Sequence, residues 1–192
     1  MIKITKRHTI KIPKNVGLYY SEKYKALILI GPLKRLLIKL KIKVLTSKKT
    51  RLLKITKEPF VMMSTNSKRR FKMIQGTFVA LIKQIFNEVV VLSIKKLKLV
   101  GVGYKSFLLT TSKNLLLKLN LGYSHPIYFQ IPREIKIFCL NANSKIYISG
   151  NFRSYVSQIA ALLRSYRVPE PYKGKGILYN EEQIIIKEGK KL

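Results

Sequence analysis

Apolar and polar residues alternate with a period of two through much of the second half of the chain. Leu97 and Leu99 alternate with Lys96 and Lys98, and Leu115, Leu117, Leu119 and Leu121 with Leu116, Lys118 and Asn120. Ile135, Ile137 and Cys139 alternate with Lys136 and Phe138. Every second side chain of a strand points to one face, so these runs predict half-buried strands. Turn-forming residues fall between them, at 112–114, 122–126 and 141–144. Near the start, the alternation from Thr9 to Ile12 predicts a first strand.

Two stretches change to spacings of three and four. One is Phe71, Ile74, Phe78, Leu81, Ile85 and Val89; the other is Phe152, Tyr155, Val156, Ile159, Leu162, Leu163 and Tyr166. Each predicts a helix with one apolar face. Asn66 or Ser67 is placed to cap the first, and Ser149 or Asn151 the second. Gly76 within the first costs helix propensity and points to close packing there. The helices lie roughly 80 residues apart, each preceded by strands, as a tandem duplication would give. The expected fold class is therefore α+β: two duplicated domains, 1–88 and 89–192, each a small, mainly antiparallel sheet packed against one helix.

Charge narrows the function. The 192 residues carry 39 Lys plus Arg against 8 Glu and no Asp, a formal net charge of +31. Self-repulsion on that scale calls for a polyanionic partner. The scarcity of carboxylates weakens metal and acid–base chemistry alike, and no enzyme activity, cofactor or metal is expected. Cys139 is the only cysteine, so no disulfide forms within the chain, and its alternating apolar surroundings predict a small core residue. YKALILIGPLKRLLIKL is too often interrupted by Lys and Arg to cross a bilayer, and no membrane contact is expected. The first residues lack the uninterrupted apolar run of a secretory signal.

The densest signal is VPEPYKGKGILY, Val168 to Tyr179. Pro169 and Pro171 hold φ and disfavour helix at the residues before them, so the helix must stop near Arg167. The expected continuation is a stiff extended segment outside the core. It would project Lys173 and Lys175 to one side, with Tyr172, Gly174 and Gly176 on the other. Glycines allow close approach with bare amides, and two lysines beside a tyrosine suit a sugar–phosphate backbone. Arg153, Ser157, Arg164 and Arg167 fall opposite the apolar stripe of the preceding helix, with few carboxylates to pair with. The candidate RNA-binding set is Arg153, Arg164, Arg167, Tyr172, Lys173, Gly174, Lys175 and Gly176, within or beside an extension at 168–179.

Other motifs carry less. The GKG lacks the rest of a Walker loop, and LVGVGY has only a GxG, read as a bulge or packing site at Gly101 and Gly103. His8 and His125 are far apart in sequence, and His125 before Pro126 reads as a turn residue. Neither a metal site nor a catalytic triad can be assembled from them and Cys139.

LVGVGY, LGYSHP and RSYRVPEPYKGKGILY, in this order between Lys95 and Tyr179, strongly resemble the bacterial-type large ribosomal subunit protein six family. PEPYKGKGI, Pro169 to Ile177, is similar to that family's signature. IPKNV at Ile12–Val16 and GPLKRL at Gly31–Leu36 resemble its IPxGV and GPKGEL more loosely, and Gly76–Thr77 falls where its first helix carries Gly-Thr. Val168 and Leu178 stand where the family often has Arg. The resemblance implies two duplicated α+β domains and a structural role in the large subunit. It also implies rRNA contact through the PEPYKGKG segment near the stalk base and the sarcin–ricin loop. Its implied partners are large-subunit rRNA and neighbouring large-subunit proteins, with translational GTPases close by. The alternative is a general nucleic-acid binder outside any ribosome. A composition rich in Ile, Lys, Leu, Asn, Tyr and Phe, and a start at the family's own first motif, lead to a mitochondrial matrix location, with a bacterial cytoplasm as the alternative.

Overall fold

The computed structural model describes residues 8–47, 50–56, 64–111, 114–140 and 144–189. The chain forms two compact units, Met1–Val91 and Leu92–Leu192. Among the described residues it is α+β, with two helices and several small antiparallel sheets.

In the first unit, β1 (Thr9–Lys11), β6 (Leu52–Ile55) and β5 (Val44–Ser47) form one three-stranded sheet in that order. A second contains β2 (Gly17–Ser21), β3 (Ala26–Ile30) and β4 (Arg35–Lys39). All pairings are antiparallel. Helix α1 (Thr65–Val90) is capped by Ser64, whose hydroxyl accepts the Ser67 N–H at 3.5 Å. The start therefore lies ahead of both predicted caps. The buried stripe is Gln75, Val79, Ile82, Phe86 and Val89. It is rotated from the predicted one: Leu81 faces solvent, while Ile74, Phe78 and Ile85 flank the core. The first turns of α1 carry Lys68, Arg69, Arg70 and Lys72, all exposed. Gly76 is exposed as well, and a Cβ there would meet nothing within 4 Å, so close packing is not its reason. Gly31 is where the chain runs tight, since a Cβ would lie 2.8 Å from the Val89 carbonyl oxygen. The turn that Gly31 opens docks on the end of α1 through Leu33 N–H to the Val89 carbonyl (3.3 Å) and Lys34 Nζ to the buried Glu88 (3.4 Å).

The second unit contains β7 (Ser93–Val100), β8 (Lys105–Thr110), β9 (Leu115–Asn120), β10 (Ile127–Gln130), β11 (Ile135–Leu140), β12 (Lys145–Gly150), α2 (Arg153–Ser165) and β13 (Gly176–Tyr179). One sheet has the order β10-β9-β8 and the other β11-β12-β7-β13, again antiparallel. Among the described residues each unit thus holds two sheets where one was expected. The predicted inward positions Leu97, Leu99, Leu117, Leu119, Leu121, Ile135 and Ile137 are buried. They pack with Ile146, Ile148, Val156, Ile159, Ala160, Leu163 and Ile177 in one cluster. Full burial of such a side chain contributes about 1.5–3 kcal/mol. Leu162 of the predicted helical stripe is exposed, and Phe152 flanks α2 as its N-cap residue in place of Ser149 or Asn151.

Candidate nucleic-acid interface

Helix α2 gives way at Tyr166 and Arg167 as the prolines require, but the chain then turns back on itself. Glu170 N–H donates to the Lys175 carbonyl (3.0 Å), and Gly174 N–H donates to the Glu170 carbonyl (3.1 Å). These bonds close residues 170–175 into a turn with Gly174 at φ +66°. From Gly176 the chain enters β13 and pairs with β7. Ile177 is fully buried and donates its N–H to the Arg167 carbonyl (2.9 Å). The expectation of an extended segment outside the core is corrected: residues 170–175 are a turn and Gly176–Tyr179 is a core strand. The glycines are corrected with it. Gly174 supplies a left-handed φ in open space, whereas a Cβ on Gly176 would lie 2.5 Å from Pro169 Cα. The close approach at Gly176 is of the chain to itself.

The turn raises Tyr172, 58% exposed, and Lys173, also exposed, with Lys175 half-buried beside them. It faces two other turns, those carrying LVGVGY and LGYSHP. Together they line a cleft of about 410 Å³ with Val102, Tyr104, Gly122, Arg167, Glu170, Tyr172, Lys173 and Lys175. Gly101 and Gly122 pack against the Tyr104 ring, so the motif glycines make room for this buried tyrosine. Arg167 lies over the Tyr123 ring, 4.8 Å from its centroid, and Tyr123 Oη donates to the Tyr166 carbonyl (2.9 Å). Hydrogen bonding with the Tyr123 phenol, then the nearby Tyr104 phenol, raise the Arg167 pKa further, so it stays a cation. Three cations against Glu170, with an exposed ring at the rim, suit a phosphate and an adjoining base. Val102, Tyr104, Gly122 and Tyr123 were absent from the candidate set. Their signal was LVGVGY and LGYSHP, read one at a time as a packing site and a turn.

Arg164 is engaged otherwise. Its Nε donates to Glu182 (3.0 Å), a second guanidinium nitrogen bonds the other carboxylate oxygen, and the Tyr179 ring lies 5.7 Å away. Glu182 also accepts the Tyr179 N–H at 3.0 Å. The Arg164 hydrogen bonds hold the Glu182 carboxyl below its ordinary range, against a smaller upward push from burial. Few carboxylates were expected to be available to this helix face, yet Arg164 has one; the pair ties α2 to the chain leaving β13. Arg153 stands exposed in the first turn of α2. Cys139 is half-buried, and burial raises its thiol pKa, partly offset by a hydrogen bond with Ser106. His125 lies in an exposed turn, with Nδ1 3.5 Å from Ser124 Oγ. Among the described residues, no group of three or more His, Cys, Asp or Glu could hold a metal ion. Nor is any helix there long and apolar enough to cross a membrane.

A sequence model of the family described as "Ribosomal protein L6" matches residues 110–180, which include the LGYSHP turn, α2, the 170–175 turn and β13. The chain is 39% identical over 183 residues to the large ribosomal subunit protein uL6 of Mycoplasmoides gallisepticum, covering 94% of this chain and 92% of that one. It is 42% identical over 126 residues to uL6 of Janthinobacterium sp. (strain Marseille), covering 66% and 68%. It is 53% identical over 97 residues to uL6 of Rhodospirillum rubrum, covering 50% and 52%. The near-complete alignment includes the first unit, whose sequence resemblance was looser. The chain therefore belongs to the bacterial-type ribosomal protein L6 (uL6) family, whose members are structural ribosomal proteins and not enzymes.

Proposed function

We propose that this chain is a structural component of the large ribosomal subunit that binds large-subunit rRNA through the 170–175 turn and its cleft. The observation that carries the reading is the family's signature segment, folded here into an exposed basic turn. In this role Lys173, Lys175 and Arg167 neutralise phosphates, and Tyr172 stacks on or hydrogen-bonds a nucleotide. Arg153 is a further phosphate contact on α2, and Arg164 positions the turn through Glu182. Gly174 and Gly176 set the backbone course. The resemblance supports a position near the stalk base and sarcin–ricin loop, beside neighbouring large-subunit proteins and close to docking translational GTPases. Composition supports a mitochondrial ribosome; the similar proteins reported above are bacterial, which favours the bacterial cytoplasm as the second location.

The test is binding of the whole chain to a large-subunit rRNA fragment across a salt series. Each phosphate neutralised contributes about 0.7–0.9 to the log–log slope. Lys173→Gln with Lys175→Gln is expected to weaken binding and lower the slope by about 1.4–1.8. An unchanged affinity and slope would remove the turn from the interface. A second reading, general nucleic-acid binding, rests on the +31 charge alone. It predicts equal affinity for unrelated RNA and no co-sedimentation with large subunits.

A further inference from the structure

The sheet β11-β12-β7-β13 buries one face against α2 and leaves the other open over β11, β12 and β7, while Leu178 at the β13 end of that face is buried. On the open face Phe138 lies opposite Tyr147, which lies opposite Lys96; the next row is Leu140, Lys145 and Lys98. Phe138 and Leu140 are each 51% exposed, Lys136 and Lys96 are exposed, and Tyr147 is half-buried. Directly opposed side chains sit about 5 Å apart at Cβ, so these groups form one continuous surface. Lys96 Nζ lies 5.4 Å from the Tyr147 ring centroid, and Lys98 Nζ donates to the Asn180 carbonyl (3.0 Å). No carboxylate stands on any of the four strands.

We propose that this open face is a second RNA-binding surface, separate from the 170–175 turn, that takes an unpaired RNA segment. A base stacks on Phe138 and extends toward Tyr147, while Lys96, Lys98, Lys136 and Lys145 neutralise the flanking phosphates. Charge selects this occupant. An apolar protein surface laid here would strip water from four ammonium groups without compensating them. An acidic peptide would compensate them but gain nothing specific from two adjoining rings. A single strand of RNA supplies both anions and π-faces, and aromatic residues on an open antiparallel sheet bind it by stacking. Lys96 gives up a surface cation–π contact worth little when it swings to a phosphate.

The chain contains no tryptophan, so Phe138→Trp introduces a unique fluorophore on this face. The whole chain carrying Phe138→Trp, Lys173→Gln and Lys175→Gln is titrated with a mixed single-stranded oligoribonucleotide of about ten nucleotides. Duplex RNA of equal length and polyglutamate serve as comparisons. The single strand is expected to quench the indole and bind more tightly than either. In the same lysine background, Phe138→Ala is expected to weaken that binding about five- to hundred-fold with the salt slope unchanged. Lys136→Gln with Lys145→Gln is expected to lower the slope by about 1.4. Circular dichroism of these surface variants should match the parent. Binding without quenching, together with parental affinity for Phe138→Ala, overturns the proposal. Tighter binding of polyglutamate also overturns it and points to an acidic protein.

Discussion

Gly174 and Gly176 belong to one motif, yet replacing each by Ala should have very different consequences. At Gly174 the added methyl meets nothing within 4 Å, and the cost is the left-handed φ of +66°. That strain is about 1–2 kcal/mol, partly offset by about 0.4–1 kcal/mol from a less flexible unfolded chain. At Gly176 the φ of +151° is again one that L side chains avoid, and the methyl would also sit 2.5 Å from Pro169 Cα and 2.7 Å from its nitrogen. Both are backbone atoms and cannot swing aside. Backbone strain of about 1–3 kcal/mol adds to overpacking of about 1–3 kcal/mol. Gly176→Ala should thus cost about 2–6 kcal/mol, a large share of the 5–15 kcal/mol typical of a whole domain. Two units need not unfold together, so the measurement should follow the second unit directly. Hydrogen exchange of the β7 and β13 amides against urea does this. For a slope of about 1.5 kcal/mol per molar urea, Gly174→Ala should shift the midpoint by up to about 1 M and Gly176→Ala by about 1.3–4 M. If both variants shift it equally, the contact between Pro169 and Gly176 is not what the second glycine serves.

Three further outcomes are expected. Gly76→Ala, on the exposed face of α1, should stabilise the first unit by about 0.5–1 kcal/mol, read as a raised melting temperature. Glu182 has its pKa lowered in the folded state, so the stability it contributes is present above the unfolded carboxylate pKa near ~4.3 and lost as pH falls through the folded value. Glu182→Gln should flatten that acid-side loss in hydrogen exchange of β13 and should destabilise the unit at neutral pH. Residues 92–192, which hold a complete core, should fold alone with cooperative urea unfolding; a non-cooperative transition would show that they depend on the first unit.

Period-two runs were legible because each has one face in water. Leu117 and Leu119 declare themselves by the lysine and asparagine between and after them, and the structure buries both. The stripe of α1 was harder to read. The helix is apolar over a wide arc, and its buried side includes Gln75, whose Nε2 donates to the Thr56 carbonyl (2.6 Å). A polar residue that finds its partner only in the fold shifts the apparent stripe away from the true one. The 170–175 turn was legible as chemistry but not as shape. Lys173 and Tyr172 are exposed and Lys175 is half-buried, while the turn that presents them depends on β13 finding β7, a pairing roughly 80 residues apart. Arg164 shows the same limit, because Glu182 reaches it only once the chain beyond β13 has folded back.

That long-range pairing also sets an order of events during synthesis. Strand β7 leaves the ribosome well before β13, and at about 5–20 residues per second the interval is roughly 4–16 s. In that time β12 can already occupy one edge of β7, and α2 can settle on Leu97 and Leu99. The other edge stays open until Gly176–Tyr179 arrives. The 170–175 turn is braced by that strand through Ile177 N–H on Arg167 and through Gly176 against Pro169. A chain stopped before residue 176 would carry every lysine of the turn and still lack the strand that braces it. The braced form of the turn is therefore complete only once Gly176–Tyr179 has been made and paired.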